Sequence, residues 1–99
     1  MGYDFHITRA ESWPESEQFP IERREWEAVA NAHPELSQDG YFVSSDIGRQ
    51  PVYTISEEVI SFSWGIGRVD ISGVFTDKVM EIAENLASQL KATVVGDDE

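Results

Sequence analysis

The residues with the most versatile chemistry are the two histidines, because imidazole titrates near neutral pH and commonly ligates metals. His6 alternates with Asp4 and Thr8, so these three side chains would share one face of a strand. Asp4 and His6, with Asp97 if the last strand lies beside the first, would offer nitrogen and oxygen ligands to a zinc-like ion. The same alternation is typical of a solvated sheet face, and no H-x-H or H-E-x-x-H spacing is present. We therefore predict no metal site and no cofactor.

The other polar residues do not form a catalytic motif. Ser61, Ser63 and Ser72 alternate along β-prone segments and have no Gly-x-Ser-x-Gly elbow. The Gly-Ile-Gly segment at 65–67 lacks the third glycine and the following helix of a phosphate-binding loop, so it predicts a hairpin connection. Carboxylates are so numerous that a pair at glycosidase spacing carries no information, and the absence of cysteine excludes thiolate chemistry. The sequence predicts that the protein is not an enzyme.

The tryptophans are a further candidate binding feature. Trp13, Trp26 and Trp64 would either line a ligand groove or fill the core. Because Trp26 and Trp64 lie at regularly spaced helix and strand positions, we predict that they belong to the core.

The strongest bulk property is the charge. The chain has 99 residues with 7 Lys and Arg against 19 Asp and Glu, a net charge of −12. Such a surface repels nucleic acid and anionic membranes and attracts basic partners. The alternative is that the excess charge only keeps a small protein in solution.

The negative charge is concentrated in one segment. From Glu11 to Asp39 the chain carries eight acidic residues against Arg23 and Arg24. A loop and helix of this kind can dock on a basic cleft, such as the nucleic-acid channel of a nuclease, by imitating phosphates. We assign the partner-binding surface to five of these carboxylates: Glu15, Glu17, Glu22, Glu25 and Glu27.

The hydrophobic spacing in the first third predicts the elements that carry this surface. Alternation over 3–9 predicts a strand, and the proline-punctuated segment 11–18 predicts a loop. The i, i+3, i+4 and i+7 spacing of Trp26, Val29, Ala30 and His33 predicts a helix over about 21–32, which Pro34 ends.

The remainder of the chain predicts further strands and a second helix. Asp39-Gly40 predicts a turn, and the clearest helical stripe predicts a helix over 77–90 with Thr76 as its N-cap. Strands are predicted around 41–43, 52–55, 60–64, 68–72 and 92–95.

The order of elements is strand, helix, two to four strands, helix and strand, which predicts one α+β domain over residues 1–99. We expect an antiparallel sheet of four to five strands with both helices packed on one face. A ferredoxin-like (split βαβ) order, in which the last strand lies beside the first, is favoured over simple meanders.

Short patterns cover roughly the first 36 and the last 20 residues: Tyr3-Asp4, Ile7-Thr8-Arg9-Ala10, Trp13, Pro20-Ile21, Glu25-Trp26, Pro34-Glu35-Leu36 and Ala92-x-Val94-x-Gly96-Asp97-Asp98. Together they resemble a group of small acidic bacterial proteins, some of which look like immunity proteins encoded beside secreted polymorphic toxins. The resemblance implies that the protein protects its cell by binding a toxin domain. Residues 40–75 form a shorter segment than in that group.

These observations favour a non-enzymatic acidic binding protein that inhibits a basic protein partner, including a cognate toxin of the nuclease type. Neither nucleic acid nor a membrane is an expected partner. The start of the chain lacks the charged and apolar regions of a secretory signal, so we expect a cytoplasmic protein. Two alternatives stay open: a small-ligand or metal-binding domain that uses Asp4, His6 and Thr8, and a domain that self-associates through an edge strand.

Overall fold

The computed structural model describes residues 4–11, 13–44, 48–65 and 67–96. Within them the chain forms six strands, two α-helices and one short 3-10 helix. The elements are β1 (Phe5–Thr8), the 3-10 helix (Trp13–Gln18), α1 (Arg23–Ala32), β2 (Leu36–Ser44), β3 (Gly48–Ile55), β4 (Ile60–Gly65), β5 (Arg68–Gly73), α2 (Asp77–Gln89) and β6 (Thr93–Gly96). The α+β class is confirmed, but the sheet has six strands rather than the expected four to five.

The strands form one sheet in the order β2-β3-β4-β5-β1-β6, and all five neighbouring pairs are antiparallel. The last strand lies beside the first, as predicted. The ferredoxin-like order is not confirmed, because a split βαβ unit pairs parallel strands whereas β1 is antiparallel to both β5 and β6. The four strands between the helices, β2 to β5, form an antiparallel meander. The last of them, β5, lies beside β1 and runs antiparallel to it.

Both helices contribute to one buried cluster on a single face of the sheet. The register places Phe62 opposite Ile71 and Val69 opposite Ile7, so these four side chains share that face. Trp26 of α1 stacks on Phe62 with ring centroids 6.2 Å apart. The stripe predicted for α2 is buried as expected: Val79, Ile82, Ala83, Leu86 and Leu90. None of the described helices is long and apolar enough to cross a membrane.

The turn predicted at Asp39-Gly40 is wrong. These residues lie inside β2, where the register with β3 shifts between Gln38 and Tyr41. Gly40 has φ +83°, a left-handed conformation that glycine adopts without a Cβ penalty. An extra residue in one strand forms a β-bulge, so the chain continues as a strand through a sequence that is also typical of turns.

Residues 13–18 of the predicted loop form the 3-10 helix instead. Helix α1 begins two residues later than predicted, after Glu22, whose backbone N–H donates to the Glu25 carboxylate at 3.0 Å. This capping box satisfies backbone donors that have no partner inside the helix. The helix ends at Ala32, just before Pro34, as predicted.

Candidate functional site

An open groove of about 720 Å³ lies on the surface predicted to bind a partner. Its walls come from the 3-10 helix, the segment that leads into α1, the start of α1, the end of β4 and the β4–β5 connection. Three of the five predicted carboxylates line it: Glu17, Glu22 and Glu27. Arg23 and Arg24 also line it, and Pro20 and Trp64 add apolar surface. The groove therefore combines three carboxylates and two arginines with an aromatic wall.

The floor of the groove is fixed by hydrogen bonds between distant parts of the chain. The Trp64 indole Nε1–H donates to the Ile21 carbonyl at 2.7 Å, and the Ile21 N–H donates to the Gly67 carbonyl at 2.9 Å. Gly67 has φ +79°, and a Cβ there would lie 2.8 Å from the Ser16 carbonyl oxygen. The missing side chain lets the 3-10 helix pack directly against the β4–β5 turn.

Arg9 joins the segments that build the groove. Its Nε donates to the Leu90 carbonyl at the end of α2 at 2.9 Å, and its Nη1 donates to the Pro20 carbonyl at 3.0 Å. Both of its terminal nitrogens also donate to the Glu25 carboxylate, at 3.1 and 2.9 Å. The sequence patterns do not identify Arg9 as a site residue. One signal for Arg9 was present in the sequence. The alternation along β1 places Arg9 on the same side as the apolar Ile7, and a charged side chain on a buried side needs a partner.

Glu25 is occupied inside the molecule. Hydrogen bonds from Arg9, and then from the Glu22 backbone, lower the Glu25 pKa to about 2. The same carboxylate raises the pKa of Arg9 above its ordinary value. Because Glu25 both caps α1 and binds Arg9, we leave it out of the partner surface proposed below.

This pairing predicts a specific pH dependence of stability. Because the folded-state pKa of Glu25 lies below the ordinary value of 4.5, its contribution is fully present above about pH 4.5 and is lost as the pH falls toward about 2. The wild type should therefore lose stability over that range relative to Glu25→Gln. Denaturant titrations at several pH values measure the difference, with Glu84→Gln as the control at an exposed position. Curves for wild type and Glu25→Gln that stay parallel would contradict the pairing.

Two more of the predicted carboxylates have arginine partners. Glu27 accepts a hydrogen bond from Arg23 Nε at 2.6 Å, one helical turn away. Glu22 lies 3.4 Å from Arg24 Nε, and the Arg24 side chain is 88 % exposed. Exposed ion pairs contribute little to stability, but they reduce the net negative charge at the start of α1.

The two remaining carboxylates are exposed on the 3-10 helix. Among the residues that the structure describes, neither Glu15 nor Glu17 forms an ion pair. Glu17 also lines the groove, within reach of the surface formed by Pro20 and Trp64. The unpaired charge of the predicted surface therefore lies on the 3-10 helix rather than on α1.

The expected solvated face around Asp4, His6 and Thr8 is wrong for two of its three residues. His6 is 5 % exposed and Thr8 is fully buried. His6 Nδ1 lies 2.6 Å from Asp70 Oδ1, which also accepts a hydrogen bond from Arg68 Nε at 2.9 Å. His6 and Asp70 are directly opposite each other in the β1–β5 register. The alternation within β1 could not reveal this, because the partner lies on another strand.

The 3-10 helix closes over the end of the same strand. The hydroxyls of Thr8 and Ser16 lie 2.8 Å apart, and Thr8 Oγ1 accepts a hydrogen bond from the Ala10 N–H.

Asp97, the third candidate metal ligand, lies outside the described residues. Within the described part of the chain, no three His, Asp or Glu side chains are placed to hold a metal ion together.

The tryptophans divide between the two roles considered for them. Trp26 is fully buried in the core, as predicted. Trp64 also packs against the core but lines the groove with its exposed part, which the spacing along β4 did not indicate. The side chain of Trp13 lies outside the described residues.

The hairpin predicted at 65–67 is consistent with the antiparallel pairing of β4 and β5.

No family model matches the chain, and no curated protein or solved structure is significantly similar to it. The resemblance to small acidic bacterial proteins therefore stays a prediction, and any function must be argued from the site itself.

Proposed function

We propose that this protein is a non-enzymatic binding protein that holds a basic segment of another protein in the groove. One observation carries the proposal. Two exposed carboxylates of the 3-10 helix, Glu15 and Glu17, form no ion pair within the described part of the chain, and Glu17 lines a groove walled by Pro20 and Trp64.

This combination suits a lysine or arginine side chain. Such side chains have an apolar stem and a cationic head. The stem would lie along Pro20 and the Trp64 ring, where a cation is also attracted to the aromatic face. The head would reach Glu17, which has no competing ion pair within the described residues. Two arginines also line the groove, and each lies beside a carboxylate: Glu27 and the Arg49 carbonyl hold the Arg23 guanidinium, and Arg24 lies 3.4 Å from Glu22. The Glu17 charge is therefore the one left to bind the cationic head.

The net charge of the chain, as well as the groove, indicates which kind of protein the partner is. A net charge of −12 attracts a basic surface over distances longer than a contact. A toxin domain with a basic nucleic-acid cleft is the partner that this charge and the family resemblance favour. Occupying that cleft in the cytoplasm would inhibit the toxin without any chemical step, as expected of an immunity protein.

Site-specific photo-crosslinking in the cell that produces the protein tests the proposal. A benzophenone side chain replaces Gln18, beside Glu17, and in a second protein it replaces Ser88, which is exposed on α2. We expect position 18 to capture a protein with a basic surface and position 88 not to capture it. Acidic captured proteins, or equal capture at both positions, would contradict the proposal.

Charge variants identify the groups responsible. Glu15→Gln with Glu17→Gln should abolish the adduct at position 18. The same change in charge at two exposed positions of α2, Glu81→Gln with Glu84→Gln, should preserve it. Loss of the adduct in both variants would assign capture to net charge rather than to the groove.

A further inference from the structure

Strand β2 lies at the edge of the sheet, and no described strand covers its outer side. Every second residue of such a strand turns its N–H and C=O away from the neighbouring strand. Beyond the bulge, Tyr41 is 51 % exposed and Val43 is 73 % exposed. They are paired with Pro51 and Arg49 of β3, and their spacing places both side chains on one face. The free edge therefore carries apolar surface beside its unpaired backbone groups.

Arginine side chains lie beside this edge. The Arg49 guanidinium lies 3.8 Å from the centroid of the Tyr41 ring. Arg23 donates to the Arg49 carbonyl at 2.8 Å, and Arg24 follows it on α1. Asp39 is the one acidic residue in the sequence of β2, and it lies in the bulge. The Arg49 guanidinium partly offsets the repulsion that a second acidic molecule meets here.

The edge is complementary to itself. In an antiparallel pair, residues directly opposite each other share a face. A two-fold axis at position 42 places Tyr41 of one copy opposite Val43 of the other, and the reverse pair follows by symmetry. An aromatic residue opposite a β-branched residue is a favourable cross-strand pair. We propose that β2 binds β2 of a second copy of this chain, which joins two six-stranded sheets into one.

A second copy fits this edge better than a basic strand does. Arg49, which lies over the Tyr41 ring and directly opposite Val43, would repel a basic segment, whereas the symmetric pairing needs only groups that the chain already has. The dimer uses a different surface from the groove, so it neither requires nor excludes the binding function proposed above.

Sedimentation equilibrium over a concentration series tests the dimer. We expect the wild type to dimerise. Val43→Lys should raise the dimer dissociation constant by about tenfold or more, because it removes the apolar partner of Tyr41 on both sides of the axis and adds a cation opposite Arg49 in each copy. Val59→Lys is the matched control: Val59 is also 73 % exposed but lies outside β2, in the connection between β3 and β4. Thermal melting confirms that both variants fold.

Salt gives a second, independent signature. Two chains of net charge −12 repel each other, so raising the salt from about 0.05 to about 0.5 M should strengthen the dimer, the opposite of its effect on a basic partner. A monomer at every concentration up to about 1 mM would overturn the proposal. Equal effects of Val43→Lys and Val59→Lys, or a dimer that salt dissociates, would overturn it as well.

Discussion

Leu86→Ala is expected to lower the free energy of unfolding by about 2–5 kcal/mol. Leu86 is fully buried in the middle of the apolar stripe of α2. Truncation removes its apolar contacts and leaves a cavity where the helix packs against the sheet. Urea titration followed by circular dichroism measures the loss.

Glu84→Ala is the control for this variant. Glu84 lies on the same helix but on its exposed side, so its replacement should change stability by no more than about 0.5 kcal/mol. Equal losses for the two variants would mean that the orientation of α2 on the sheet is wrong.

Gly73→Ala is expected to cost about 3 kcal/mol or more, for a reason unrelated to apolar burial. Gly73 ends β5 with φ +135°, and a Cβ there would collide with the Val59 carbonyl oxygen and lie 2.8 Å from Ile60 Cα. Both obstacles are backbone atoms, which cannot rotate away. The strand before α2 would have to separate from β4.

Gly40→Ala is the control for Gly73→Ala, because it introduces backbone strain at a positive φ without a steric collision. Gly40 has φ +83°, but no atom lies within 4 Å of the position that its Cβ would occupy. Its replacement should therefore cost only about 1 kcal/mol. If thermal unfolding shows the same loss for both glycines, the close approach of Gly73 to Val59 does not exist in the folded protein.

The parts of the fold that sequence predicted well are those set by local pattern. Helix α2 has an N-cap side chain, Thr76, that accepts from the Val79 N–H at 3.2 Å, followed by a regular apolar stripe. Strands β4 and β5 alternate on both sides of a glycine-containing connection, which predicts antiparallel pairing without any knowledge of the rest of the chain.

The errors arose where the answer depends on residues distant in sequence. Asp39-Gly40 is compatible with a turn or a bulge, and only pairing with β3 decides between them. The burial of His6 depends on its cross-strand neighbour Asp70, and alternation along one strand contains no information about that neighbour.

The sequence groups the five candidate carboxylates in one segment, but it does not show which of them have arginine partners. The segment that carries Glu15 to Glu27 does border the groove. The sequence could not show that Arg9, sixteen positions before Glu25, neutralises that carboxylate. Because such pairs form only after folding, the available negative charge lies on the 3-10 helix, at Glu15 and Glu17.

The central claim is that these two carboxylates attract a basic partner to the groove. The most direct test is the association rate constant of the protein captured at position 18, measured by stopped flow across a salt series. Long-range attraction acts mainly on association, and its range shrinks from about 8 Å at physiological salt to about 3 Å at 1 M. We therefore expect association to slow steeply as salt rises. Glu15→Lys with Glu17→Lys should slow it further, whereas Glu81→Lys with Glu84→Lys should change it much less. Equal rates for the two double variants, or rates indifferent to salt, would contradict the account.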